Sequence, residues 1–245
     1  LGCGAITLAV PLLGFLRTHL DLAPVRVLHD WSFALYLPAI YAMVMLVAAP
    51  LHDGRVFDEW LIAADRRLAA GDPAAWFSTI AHPLTTAAFR IAYAAFPLLP
   101  LLVTVELYTG TREWRFRQWA FVCACGFFAA YAGYLTLPAA GPRFTMPAGL
   151  DADALRVAAR DGFPGGHTLV TLLAMAWAWR YRLRVRWTVT VLGLLLVVAT
   201  VYLRHDYVAG VMAGAALAGI CLAVAPALHR WLAHGLGTID ADRAA

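Results

Sequence analysis

Residues 187–228 read WTVTVLGLLLVVATVYL, then RHD, then YVAGVMAGAALAGICLAVAPAL, so charge appears only at Arg204, His205 and Asp206 between two apolar runs. Runs of about 20 apolar residues match the length a helix needs to cross the hydrocarbon of a bilayer. Two of them on either side of three polar residues read as a helical hairpin through a membrane. Working outward, similar segments recur at about 1–16, 31–50, 84–109, 118–139 and 166–179. The whole chain of 245 residues is 62% hydrophobic and 14% charged, with a mean hydropathy of +0.70. Soluble domains average about 45–50% apolar and about 25% charged. Inside lipid every backbone N–H and C=O must pair within the protein, which leaves helices as the economical solution for such segments. The expectation is an all-α, polytopic membrane helix bundle. It has about six core transmembrane helices plus one N-terminal helix, in a single integral membrane domain over 1–245.

The net charge of +4 is carried entirely by arginine, since the chain has no lysine. These arginines sit in short connections rather than on one concentrated face, which argues against a nucleic-acid partner. Short basic connections face the cytoplasm. Arg112, Arg115 and Arg117 form one, and Arg180, Arg182, Arg184 and Arg186 form another. Alternation then puts 17–30 and the C-terminal tail on the same side, with 51–83, 140–165 and 204–206 outward. A bacterial inner (cytoplasmic) membrane with its site facing outward is expected. Within 53–83, Trp60, Leu61, Ala64 and Leu68 recur at helical spacing against Asp58, Glu59, Asp65, Arg66 and Arg67, a pattern for a helix lying in the interface. Asp151–Arg160 reads as a second such piece.

Neither metal nor cofactor is called for. Cys123 and Cys125 stand two apart and point to different helix faces, so they read as packing residues rather than a ligand pair. His19, His29, His52, His82, His229 and His234 sit near span ends, whereas a haem pair wants histidines deeper between neighbouring helices. A transporter would need ionisable residues within its spans, and only Arg90 and Glu106 come near.

The outward connections hold the chemistry. They contain Pro-Ala-Ala-Gly-Pro-Arg at 138–143, Asp-Gly-Phe-Pro-Gly-Gly-His-Thr at 161–168, and Thr-Val-Tyr-Leu-Arg-His-Asp-Tyr-Val-Ala-Gly-Val-Met-Ala-Gly at 200–214. Guanidinium groups at Arg143 and Arg204 supply paired donors to phosphate oxygens. His167 can exchange a proton near neutral pH. Gly165 and Gly166, at a helix start, let backbone N–H groups approach an anion. Together these suit a phosphate ester at a membrane surface, with membrane lipids and a lipid-linked phosphate as partners.

In order and spacing, these three blocks resemble the type 2 phosphatidic acid phosphatase superfamily over roughly 55–218. The branch they look like contains inositol phosphotransferases such as inositol phosphorylceramide synthases. Asp72-Pro73 to His82-Pro83, followed by Tyr93 and Pro97, is similar to that branch too. The resemblance implies that a third-block histidine attacks phosphorus, that an aspartate four residues later orients it, and that the second-block histidine protonates the leaving group. Arg143, His167 and Arg204 match by position. At the nucleophile position, however, stands Asp206, and Gly210 replaces its orienting partner. Gly165 replaces the second-block serine. Sliding the register by one makes His205 the nucleophile but leaves Ala209 for the aspartate. The sequence thus supports three candidates for the catalytic role, His167, Asp206 and His205. It leaves open a lipid phosphatase or phosphotransferase with impaired chemistry, or a non-catalytic subunit of a membrane complex that keeps the fold.

Overall fold

The computed structural model describes residues 15–16, 19, 22–68, 76–77, 79–110, 112–145 and 159–235. The segment expected over 1–16 and the interfacial piece expected over 151–160 lie largely outside the described residues. Nine helices occur among the latter: α1 (Ala23–Leu51), α2 (Asp58–Leu68), α3 (Pro83–Ala94), α4 (Leu98–Tyr108), α5 (Glu113–Thr136), the single turn α6 (Pro142–Thr145), α7 (Gly166–Arg180), α8 (Arg186–Tyr202) and α9 (Val208–Gly235). Among the described residues no strand accompanies them, and Ala139 and Asp161 form an isolated bridge. The chain divides into two compact units, Leu1–Val44 and Met45–Ala245, and the site lies wholly in the second.

By length and composition, α1, α5 and α9 can each cross a membrane, and α3 with α4 does so as a pair bent by 45°. The expected spans at 166–179 and 187–203 appear as α7 and α8, with 15 and 17 residues. At 1.5 Å per residue, α7 is about 22 Å long, short of a hydrocarbon core of about 30 Å. Its position explains how it tolerates that length. It packs against α4, α5, α8 and α9, and Leu169, Val170, Leu173, Ala174, Trp177 and Ala178 are all fully buried. A helix enclosed by other helices has no lipid to match.

The outer helices show the opposite distribution. Val191, Leu194, Leu195 and Val198 of α8, and Met212, Ile220 and Val224 of α9, are exposed. Apolar surface on this scale needs an apolar neighbour, and lipid supplies it. This is a membrane protein built as a helical bundle.

Local contacts define two ends. At one end, Tyr181 donates from its hydroxyl to Gln118 Oε1 at 2.9 Å, the Arg115 guanidinium lies 4.9 Å from the Tyr181 ring centre, and Trp114 meets that ring edge-on. Glu106, at the foot of α4, accepts from the N–H groups of Arg184 (2.6 Å) and Val185 (3.1 Å), capping the start of α8. Its carboxylate is thereby a helix cap. Both basic connections lie at this end. From there α5 runs away to the opposite end, and α7 returns from it. At that opposite end Gly162 N–H donates to Ala139 C=O at 2.8 Å, and the three sequence blocks meet.

Candidate functional site

The base of the site is α2. Its buried residues are Asp58, Leu61 and Asp65, whereas Trp60 and Leu68 are 60% and 52% exposed. Two acids thus share the buried face of this helix with Leu61. The reason is backbone chemistry: loops packed beneath α2 carry buried N–H groups, and each must find an acceptor. Asp58 accepts from Ala140 N–H (Oδ2, 2.9 Å) and Gly141 N–H (Oδ1, 2.8 Å), and from the Tyr207 hydroxyl at 2.6 Å. Asp65 accepts from Val208 N–H (Oδ2, 2.9 Å) and Ala209 N–H (Oδ1, 2.8 Å), capping the start of α9. Leu61, Ala139 and Tyr207 form a small buried cluster beneath, with Ile62, Phe163 and Ala209 packed against it.

The first block turns at Gly141, whose φ of +95° favours glycine. A Cβ there would also lie 2.6 Å from the His205 carbonyl oxygen. The turn delivers Arg143, whose N–H donates to Arg204 C=O at 2.9 Å and whose guanidinium lies 2.9 Å from His205 Nδ1. Guanidinium has donors only, so His205 Nδ1 accepts and its remaining N–H sits on Nε2. His205 also stacks on Tyr93, with ring centres 4.0 Å apart and planes 7° apart. Burial, then the positive Arg143, push its pKa down to about 4, so it is neutral at physiological pH.

His167 opens α7. Its Nε2 lies 3.3 Å from the Tyr93 hydroxyl, its ring meets Phe96 edge-on at 4.6 Å, and its Nδ1 is buried with no hydrogen-bond partner. Tyr93 thus stands between the two histidines. Sequence reasoning noticed Tyr93 only within the family resemblance; it stands in the last turn of α3, just before the bend to α4.

Asp206 departs furthest from an ordinary aspartate. It is 3% exposed, and its Oδ2 has no hydrogen-bond partner. Burial first, and the neighbouring Asp161 second, raise its pKa to about 8, outweighing Arg143 and the Thr200 hydrogen bond. At neutral pH it is therefore a carboxylic acid. Desolvation outweighs the nearby cation, so Asp206 adds no negative charge to the site. Arg204 contributes its carbonyl to Arg143, from a backbone at φ +58°.

Gly165 and Gly166 also differ from expectation. The Gly165 N–H donates to Gly210 C=O at 2.9 Å, so it is engaged with α9 rather than available to an anion. A Cβ at Gly165 would lie 2.8 Å from Gly210 O, and one at Gly210 would lie 3.1 Å from Gly162 O. The two positions where the resemblance implies serine and aspartate thus face each other as bare backbone. Gly166 is buried against the Tyr134 hydroxyl, which occupies the space a side chain would need.

Among the described residues, no group of three His, Cys, Asp or Glu side chains could hold a metal ion. Arg143, His205, Tyr93 and His167 form one continuous set of contacts, with Asp206 buried next to His205 in the chain.

Comparison with known proteins agrees with the three blocks. A model of the PAP2 superfamily matches residues 59–224. No curated protein and no solved structure matches the chain. That match covers well over half of the chain and takes in all three blocks, so the protein belongs to the PAP2 superfamily, the type 2 phosphatidic acid phosphatases.

Proposed function

We propose that this protein binds the phosphate group of a membrane lipid at the outer face of a bacterial inner membrane, without the covalent step of its superfamily. The carrying observation is Asp206: at the position aligned with the nucleophile stands a buried carboxylic acid with a pKa of about 8. A protonated carboxyl has little nucleophilicity toward phosphorus, and covalent catalysis needs an activated nucleophile. His205 does not replace it, because its Nδ1 lone pair is engaged by Arg143 and its Nε2 carries the proton. No aspartate stands where one would orient it; Ala209 does. His167 retains its place, but as an acid with no covalent step to serve.

Binding itself is supported. Arg143 is exposed and has further donors beyond the one directed at His205. Asp206, being neutral, puts no negative charge in the way of an anion. The inositol phosphotransferase branch is the one we assign, on the run around Asp72-Pro73 and His82-Pro83 together with Tyr93, which lies between the two site histidines. An accessory subunit of a membrane complex is the alternative use of the same fold.

The test is incubation of the purified full chain with phosphatidic acid labelled at phosphorus. Retention of the lipid without phosphate release, and without label covalently attached to the protein, is the expected result. Turnover or a covalent adduct would overturn it. Absence of lipid binding together with a tightly copurifying partner would favour the accessory reading. The pair Asp206→His with Gly210→Asp is expected to gain turnover, provided the loop at Gly162 yields to the new Cβ 3.1 Å from its carbonyl oxygen.

A further inference from the structure

Asp58 and Asp65 stand seven residues apart on α2, two helical turns and about 10 Å, so their side chains share one face. Each carboxylate accepts from two successive backbone N–H groups. Asp58 holds Ala140 and Gly141, at the turn that delivers Arg143; Asp65 holds Val208 and Ala209, with Tyr207 alone between them and the pair His205 and Asp206. The Tyr207 hydroxyl reaches back to Asp58 at 2.6 Å and lies 2.9 Å from Thr145 Oγ1, linking the two clamped segments. The second block is touched as well, since Trp60 meets Phe163 edge-on with ring centres 6.4 Å apart. One short helix therefore contacts all three segments of the site, and its two clamps bracket the 2.9 Å contact between Arg143 and His205.

We propose that α2 is the brace of the site and that Asp58 and Asp65 are positioning residues, which set the distance between the Arg143 guanidinium and the His205–Asp206 pair. Burying a carboxylate is costly unless every oxygen is bonded. A neutral side chain at either position could satisfy one amide but not two, because each clamp uses both oxygens. Asparagine is the isosteric test of this point. Its amide nitrogen is a donor and would face an N–H, so one amide of each pair would be released.

The role of the brace in ligand binding rests on the phosphate-binding reading above; its geometry does not, and the experiment separates the two. The full chain in lipid nanodiscs is compared with Asp58→Asn and Asp65→Asn. His205 is followed by NMR through its labelled imidazole carbon, and inorganic phosphate is the titrated probe. The groups facing His205 are Arg143, His167, Asp161 and the Tyr93 ring. In the parent, His205 should titrate near 4. In each variant Arg143 drifts from the imidazole, the midpoint rises toward 6.5, and phosphate binds about tenfold or more weakly. Thr104→Val serves as the structural control, removing the Trp119 Nε1–H donation to Thr104 within the bundle, at 2.8 Å. It should lower thermal stability with no change at His205. Where an asparagine variant fails to fold, Tyr207→Phe takes its place, removing one hydroxyl contact to Asp58 and giving a smaller rise. Folded variants with an unmoved His205 midpoint would overturn the brace, as would a control that moves His205 equally. A parent that binds no phosphate, with the midpoint still shifting in the variants, would remove the phosphate reading and leave the brace standing.

Discussion

Asp58 and Asp206 are both acids withdrawn from solvent, at 0% and 3% exposure, and their surroundings are opposite. Asp58 receives three donors, two from backbone and one from Tyr207. Asp206 has one oxygen with no partner and a second acid, Asp161, acting on it. Burial with donors makes a carboxylate a fastening between segments. Burial without them removes its charge. In one site, therefore, the same side chain serves as a clamp on α2 and as an uncharged group at the position that the resemblance aligns with a nucleophile. The donors decide which.

Asp58→Ala would break the first half of that comparison, and its effect should be the largest. Three donors lose their acceptor in a place water does not reach. At about 1–3 kcal/mol for each unsatisfied group, the loss is roughly 3–9 kcal/mol, a large share of the about 5–15 kcal/mol that holds a domain together. Thermal melting in detergent should show most of the protein unfolded or unrecoverable. A melting midpoint within a few degrees of the parent would mean that the amides of Ala140 and Gly141 find other acceptors.

The second half of the comparison is tested by pH. Asp206 has a folded pKa of about 8 against an ordinary value of 3.8, so the folded state holds a proton the unfolded state has lost. Its contribution to stability is complete below 3.8 and is lost as pH rises through 8. His205 works the other way, with about 4 against 6.5: its contribution is present above 6.5 and is lost as pH falls toward 4. The two oppose each other between 4 and 6.5, which leaves Asp206 alone between 6.5 and 8. Stability should fall across that window by on the order of 1–2 kcal/mol. Asp206→Asn should flatten this slope. An unchanged slope in that variant would assign the proton to another group.

Much of the fold was legible. Uncharged runs mark helices because a bilayer leaves backbone groups no other way to pair, and the three blocks could be placed at one end by counting crossings. The contact of Arg143 with His205 was not foreseen, because block order gives the face a residue lies on and not which side chains meet there. The inward face of α2 was not legible either, for a physical reason. Hydrophobic periodicity ranks side chains by their preference for water, while Asp58 and Asp65 face inward to meet the needs of someone else's backbone. Nor can composition reveal the charge on Asp206, which depends on how many donors the fold brings to it. Gly165 and Gly210 read as separate departures from the family pattern; only the structure shows that they touch.

That contact gives a smaller effect. Gly165→Ser restores the residue the resemblance implies, yet its Cβ would lie 2.8 Å from Gly210 O, a backbone atom. The backbone φ of −56° suits any residue, so strain comes only from packing. A destabilisation of about 1 kcal/mol is expected, read as a lowered melting midpoint. No change would mean that the start of α9 shifts freely away from the loop.

The smallest expected effect is none, and it bears most directly on function. Asp206→Asn should leave the release of phosphate from phosphatidic acid at the level of the unmodified protein, which is itself expected to be weak or absent. Asparagine has the shape of a protonated aspartate and, like it, carries no charge, so at neutral pH the exchange alters little in a site where Asp206 is already neutral. The pH dependence sharpens the point. Above about 8 Asp206 becomes a carboxylate, and phosphate bound beside Arg143 should weaken in the parent but not in the asparagine variant. An aspartyl nucleophile predicts the reverse on every count. Turnover would be robust in the parent and would rise with pH as the carboxylate forms. Asp206→Asn would abolish it, and label would appear on the protein as an acyl phosphate. That set of results would replace a silenced site with an aspartate-based form of the superfamily's chemistry.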